Sequence, residues 1–102
     1  MPYTITHTSG AMDQDPPVSA LRVLVDELAS ADVEHPDVAV ADESGWALSA
    51  FKDGRVVWEN VEEDVEPRHL EGVDRERLVT MFEALARGDV ASIEANSWMP
   101  GY

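Results

Sequence analysis

Asp53-Gly54 is the feature that most restricts how this chain can fold. It separates two runs rich in β-branched and aromatic residues, Trp46 to Lys52 and Arg55 to Val61, and Asp-Gly between strand patterns is the strongest short-range hairpin signal. A two-residue turn there sets Phe51 opposite Val56, Ala50 opposite Val57, Ser49 opposite Trp58 and Leu48 opposite Glu59. Because side chains alternate between the faces of a strand, one face of the ribbon then carries Trp46, Leu48, Ala50, Val57 and Val61. The other carries Phe51, Val56 and Trp58, together with Ala47, Ser49 and Asn60. The first face is the more continuously apolar, and the helices are expected there.

The rest of the chain extends this hairpin. Asp37 to Ala41 reads as a further strand, joined to Trp46 through Glu43-Ser44-Gly45, and Tyr3 to Ser9 alternates with period two until Gly10. Gly10 to Pro17 is polar, contains a Pro-Pro pair and reads as a loop. Leu21, Leu24, Val25 and Leu28 recur at helical spacing and predict an amphipathic helix over Ser19 to Ala31. A second helix is expected from an Asp74 cap to Arg87, with Leu78, Phe82 and Leu85 inward and Gly88 as its stop. Asp89 caps a short helical turn through Ile93, and the tail Trp98-Met99-Pro100-Gly101-Tyr102 is expected to dock on the body. The predicted order is β-α-β-β-β-α plus the short turn. This is an α+β two-layer sandwich, an antiparallel sheet of about four strands with two amphipathic helices on one face. There is no internal repeat, and the 102 residues suit one globular domain spanning 1–102.

Charge sets the sign of any partner. The chain holds 21 acidic residues against seven basic ones, six arginines and Lys52, for a formal net charge of −14. Such an excess bears on solubility and association and says little about fold. Arginine in place of lysine, with much Ala, Val and Asp, resembles the codon bias of a high-GC bacterium. Cysteine is absent, so the core alone must hold the fold. No apolar run is long enough to span a bilayer, and the first residues lack a secretory pattern. The expectation is a cytoplasmic protein with no membrane association.

Few residues suggest chemistry. Nucleophilic catalysis lacks an activated group, and phosphate binding lacks a glycine-rich loop opening a helix. His7, His35 and His69 are scattered, without a spacing that would place two metal ligands on one helix face. Asp13, Asp15, Glu62, Glu63 and Asp64 lack the alternation of a calcium loop. No catalytic residue, metal site or cofactor is therefore assigned. Glu59, Glu62, Glu63, Asp64, Glu66 and Glu71, relieved only by Arg68 and His69, form an acidic pole. Phe51 and Trp58, on a face turned away from the helices, stand beside it as aromatic anchors. An aromatic anchor with a charged rim is the usual anatomy of a protein interface, so Phe51, Trp58, Glu59, Glu62, Glu63, Asp64 and Glu66 are the candidate partner-binding residues.

In size, charge and α+β pattern the chain resembles the small acidic immunity proteins of bacterial toxin systems. The resemblance implies a non-enzymatic inhibitor that blocks a basic protein, such as a nuclease toxin, acids standing in for phosphates. Two other readings are an accessory or regulatory domain whose charge serves solubility, and a small carboxylate-based enzyme with a cleft near Trp58, Glu59 and His69. Nucleic acid is excluded as a partner, since six arginines do not offset 21 acids. Either a monomer or a homodimer is compatible with the sequence.

Overall fold

A computed structural model describes residues 3–31, 37–60, 62, 63 and 65–101. Along the chain the elements are β1 (Tyr3–Thr6), β2 (Met12–Gln14), α1 (Ser19–Asp26) running into a 3-10 turn (Glu27–Ser30), β3 (Asp37–Asp42), β4 (Trp46–Phe51), β5 (Val56–Asn60), β6 (Val65–Leu70), α2 (Arg75–Ala86), α3 (Val90–Glu94) and β7 (Met99–Pro100). The described residues build one seven-stranded antiparallel sheet in the order β2-β1-β3-β4-β5-β6-β7. This corrects the expected sheet of about four strands. The additional strands are β2, in the polar segment read as a loop; β6, in the acidic stretch; and β7, in the tail.

Each missed strand lacks the alternation by which strands are read. All three residues of β2 are exposed, so no apolar face marks it. β6 contains Pro67, which cannot donate to a ladder and belongs at bulges or edges. The β5–β6 register does slip there, with Trp58 opposite Arg68 but Asn60 opposite Val65. β7 pairs only Met99 and Pro100 with His69 and Arg68. It is held by the Gly101 amide donating to the Pro67 carbonyl at 2.9 Å and by His69 Nδ1 donating to the Gly101 carbonyl at 2.9 Å.

The β4–β5 turn also differs from its expected form. Phe51 N donates to the Arg55 carbonyl at 2.9 Å and Gly54 N to the Phe51 carbonyl at 3.1 Å. The loop is therefore Lys52-Asp53-Gly54, three residues long, with Gly54 in the left-handed region at φ +91°. Such loops are a type I turn closed by a left-handed glycine. The register becomes Ala50 opposite Val56, Leu48 opposite Trp58 and Trp46 opposite Asn60. A shift of one residue sends every side chain of β5 to the other face. Val56 and Trp58 thus join Trp46, Leu48 and Ala50 beneath the helices, while Val57 and Glu59 turn away. The expected placement of Val57 with Trp46, and of Trp58 beside Phe51, is overturned; Val61 lies outside the described residues.

All helices lie over this one face. Leu21, Leu24 and Val25 of α1, Leu78, Phe82 and Leu85 of α2 and Ile93 of α3 pack with Ile5, Val38, Val40, Leu48, Val56 and Trp58 in a single core. α2 begins where Asp74 Oδ1 accepts the Arg77 amide at 2.8 Å. It ends in a Schellman motif, Gly88 N donating to the Leu85 carbonyl at 2.9 Å and Asp89 N to the Ala84 carbonyl at 2.8 Å. At the core's edge Trp58 lies between Trp46, stacked at 4.4 Å between ring centroids, and Trp98 at 6.2 Å. Its indole N–H donates to Glu94 Oε1 at 3.0 Å, and Arg68 closes a two-pronged ion pair on the same carboxylate at 2.7 and 2.8 Å.

That arrangement generates a stability prediction. The Arg68 guanidinium, with a smaller contribution from the Trp58 N–H, holds the Glu94 carboxyl below its ordinary pKa. Its contribution is therefore present above the unfolded-state value near 4.3 and is lost as pH falls through the lower folded value. Glu94→Ala leaves the indole N–H and the guanidinium without their acceptor. We expect a loss of about 2 kcal/mol, less than for a fully buried pair because the group is partly solvated. Urea unfolding followed by tryptophan fluorescence reads this, and a loss that persists undiminished at about pH 3 would contradict the assignment.

Candidate interaction surface

The sheet has two chemically different ends. At one, the β3–β4 turn (42–46) and the segment after β5 lie together, joined through Asn60. This buried side chain accepts the Glu62 and Glu63 amides at 2.9 and 2.8 Å and donates to the Ser44 carbonyl at 3.3 Å. Asp42 Oδ1 accepts the Ser44 and Trp46 amides at 2.9 and 3.0 Å. These bonds fix two acid-bearing turns side by side and direct Glu43, Glu62 and Glu63 to solvent. Among the described residues no lysine or arginine pairs with Glu43, Glu62, Glu63 or Glu66.

The cations lie elsewhere. Arg75 bonds Asp26 at 2.5 Å and Glu76 at 2.7 Å, Arg22 bonds Glu76 at 2.8 Å, and Arg68 bonds Glu94. Arg77 donates to Asn96 Oδ1 at 2.8 Å. Arg55, at the opposite end of the sheet from the acidic turns, sits over the Phe51 ring at 4.7 Å. The arginines are thus largely committed within the helix layer and at the far end, which leaves the described part of the acidic end strongly negative.

The predicted partner-binding residues do not form one patch. Trp58 is fully buried under the helices and has no surface to offer. Phe51 is half-buried at the other end of the β4–β5 ribbon, about 16 Å from the Asn60 end at about 3.3 Å per residue. Glu59 lies on the face without helices, opposite Ala47. Glu62, Glu63 and Glu66 are exposed at the acidic end, and Asp64 lies outside the described residues. Glu59 and His69 occupy the face opposite to Trp58, so these three residues do not line one cleft. Two shallow clefts lie elsewhere. One, of about 220 Å³, is bordered by Tyr3, Gln14, Asp15, Asp42 and Glu43. The other, of about 240 Å³, lies between Val25, Phe51, Val73, Arg75 and Leu78. Among the described residues no three His, Asp or Glu side chains are grouped to hold a metal ion. No described helix is long and apolar enough to cross a membrane.

The sequence reading missed the environment of His7. Its Nδ1 contacts Glu27 Oε2 at 2.5 Å and its Nε2 contacts Asp13 Oδ2 at 2.6 Å, so one imidazole ties β1, β2 and the turn after α1 together. Carboxylates only accept, so both ring nitrogens must donate and the ring is an imidazolium. The bonds to Asp13 and then Glu27 raise its pKa against the opposing effect of burial. With Asp13 six residues away and Glu27 twenty, no motif spacing marks the cluster in the sequence.

No protein family matches the chain, and no curated protein or solved structure matches it significantly. The reading of its function therefore rests on its own geometry.

Two predictions follow from these contacts. His7 binds its proton more tightly when folded, so its contribution is complete below about pH 6.5 and is lost as pH rises through the raised folded value. His7→Gln should cost about 1 to 2 kcal/mol near pH 6, and the difference from wild type should narrow as pH is raised through the alkaline range. A urea-midpoint gap that does not change with pH would refute the imidazolium clamp. At the acidic end, Gly45 has φ +90°, and a Cβ there would meet Asn60 Oδ1 at 2.7 Å and Glu62 Cγ at 2.5 Å. Glu62 can swing aside, whereas Asn60 is held by three hydrogen bonds. At Gly54, with φ +91°, the nearest atom would be 3.4 Å away. Both alanine variants suffer backbone strain of about 1 kcal/mol or more, and Gly45→Ala should lose roughly a further 1 kcal/mol in thermal or urea unfolding.

Proposed function

We propose that this chain is a non-enzymatic acidic binding protein that engages a basic protein partner, in the manner of the immunity proteins that neutralise bacterial toxins. The observation that carries this reading is the segregation of charge. Arg22, Arg68 and Arg75 are held in ion pairs on the helix side, while Glu43, Glu62, Glu63 and Glu66 project from the other end with no lysine or arginine paired to them among the described residues. Fixed by the Asn60 and Asp42 hydrogen bonds, that end is a preorganised anionic surface. Complementary fields of this kind raise association rates and select partners by sign. A nuclease whose active surface is positive, because it must hold phosphates, is the type of protein such a surface would block.

The test is capture of protein from the native lysate by the immobilised chain, washed across a salt series, beside Glu62→Gln/Glu63→Gln. Trp58→Ala is unsuitable as an interface variant, because removing a buried indole disturbs the core. We expect one basic protein to remain bound above roughly 0.3 M salt, where the Debye length is only about 5 to 6 Å, and to be lost from the double variant. Weak capture of many basic proteins, erased by salt and indifferent to the variant, would instead support an accessory domain whose charge serves solubility.

A further inference from the structure

We propose that the face of the sheet without helices is the docking surface for that partner, and that its occupant is a cationic amphipathic helix presented by the basic protein. The inference rests on the reading of the chain as a binder of basic proteins and specifies where and how the partner sits.

A sheet with one solvated side normally alternates apolar-in and polar-out, and its outward positions favour β-branched or long polar residues. On β3 and the central strand β4 the middle outward positions are Ala39, Ala41, Ala47 and Ser49, with Asp37 and Phe51 beyond them at the far end. Val57 of β5 continues the row opposite Ser49 and is itself only 3% exposed, so the accessible part of the floor lies on β3 and β4. None of the middle residues brings a charge or a long side chain, and alanine has poor strand propensity. They form a smooth floor that another backbone can approach closely. Strands lie about 4.8 Å apart, so the floor on β3 and β4 with its margin at β5 spans about 10 Å, the width of one helix.

Charge identifies the occupant. The row Ala41-Ala47-Glu59 leads directly to the acidic end, where Glu62 and Glu63 project beyond it. The opposite end of the same face carries Phe51 with Arg55 over its ring. A helix lying along the floor would therefore place apolar side chains on the alanines and lysines or arginines against the glutamates, in one preferred direction. A second copy of the chain would bring like fields together at a formal charge of −14 each, which opposes face-to-face dimerisation.

The probe is a synthetic amphipathic helix of leucine and lysine, titrated into the isotopically labelled full chain at about 0.15 M salt and followed by amide NMR. A leucine and glutamate helix of the same pattern and a lysine-only peptide serve as comparisons. We expect the largest shifts at Ala39, Ala41, Ala47, Ser49 and Val57, with no response to the glutamate helix and weaker, floor-sparing shifts from the lysine peptide. Ala47→Gln/Ser49→Gln fills the floor without changing charge. It should leave the melting temperature near wild type and weaken the leucine and lysine helix by about tenfold, the scale of one lost anchor. Val23→Ser, which removes an exposed apolar side chain from the helix layer (61% exposed), should change nothing. Shifts confined to the acidic turns, or equal for the lysine peptide, would overturn the docking surface while leaving the basic-partner reading intact. Shifts centred on α1 and α2, or no binding of the leucine and lysine helix, would also overturn it. Sedimentation showing a dimer closed through this face would assign the floor to a second copy and overturn it as well.

Discussion

The phase of the β4–β5 hairpin decides which residues are inside this protein. With three residues in the loop, Trp58 points at the helices and Glu59 points away from them. With two, the tryptophan would lie on the uncovered face and Glu59 would be driven toward Leu48 and the core. Burying an indole contributes several kcal/mol at about 25 cal/mol per Å² of apolar area. Burying an unpaired carboxylate costs at least as much, so the two registers are far apart in energy even though the turn residues tolerate either. The stack of Trp46, Trp58 and Trp98 depends on this choice. So does the Glu94–Arg68 pair, because Arg68 reaches α3 from the position opposite Trp58.

The same choice partitions the charge. Once Trp58 is inside, α3 must supply an acceptor for its N–H, and Glu94 does so while neutralising Arg68. Asp26, Glu76 and Arg75 do the equivalent across α1 and α2. These pairs concentrate the scarce cations in the helix layer, where they join elements distant in sequence. A chain with a formal charge of −14 cannot neutralise its surface throughout, and here the remainder gathers at the turns joining β3 to β4 and β5 to β6. Self-repulsion there opposes compactness. The backbone amides that Asn60 and Asp42 accept hold those turns in place against it.

The residues that encode their own structure locally were legible in the sequence. Asp74, the apolar period of Leu78, Phe82 and Leu85, and Gly88 define α2 by capping and periodicity alone. The strands β3 and β4 follow from alternation. The hairpin at Asp53-Gly54 was legible as a hairpin, but Asp-Gly serves equally at the centre of a two-residue turn and at the end of a three-residue turn. Only the pairing of Val56 and Trp58 with Leu48 and Ala50 on one apolar face, leaving Glu59 outside, distinguishes them. β2, β6 and β7 were not legible because their pairing is mostly a backbone affair: β2 is wholly exposed, Pro67 interrupts β6, and β7 is two residues long. In the candidate site Glu62, Glu63 and Glu66 are exposed, Glu59 is half-buried and Asp64 lies outside the described residues. The aromatic half was not legible, since its location hung on the turn. His7 with Asp13 and Glu27 gave no signal, because the contact exists only once β1, β2 and α1 are assembled.

The uncovered face follows from the same topology. The three helices and the three-residue hairpin loop place Val38, Val40, Leu48, Val56 and Trp58 on one side, while Phe51 and Val57 face outward and Ala39, Ala41, Ala47 and Ser49 lie between them, free of core constraints. A purely solvated face would be expected to fill such positions with threonine, lysine or glutamate, which solvate well and favour strands. β1 does so with Thr4 and Thr6, whereas β3 and β4 carry Ala39, Ala41, Ala47 and Ser49. Alanine there gives up strand propensity and adds nothing to the core beneath, so stability alone does not account for it. On the proposed reading, close approach by another element would account for it, because a floor without long side chains neither blocks an incoming backbone nor loses side-chain entropy when covered. Together with the glutamates at its edge, this composition is what supports the proposed docking of a basic partner on the face opposite the core.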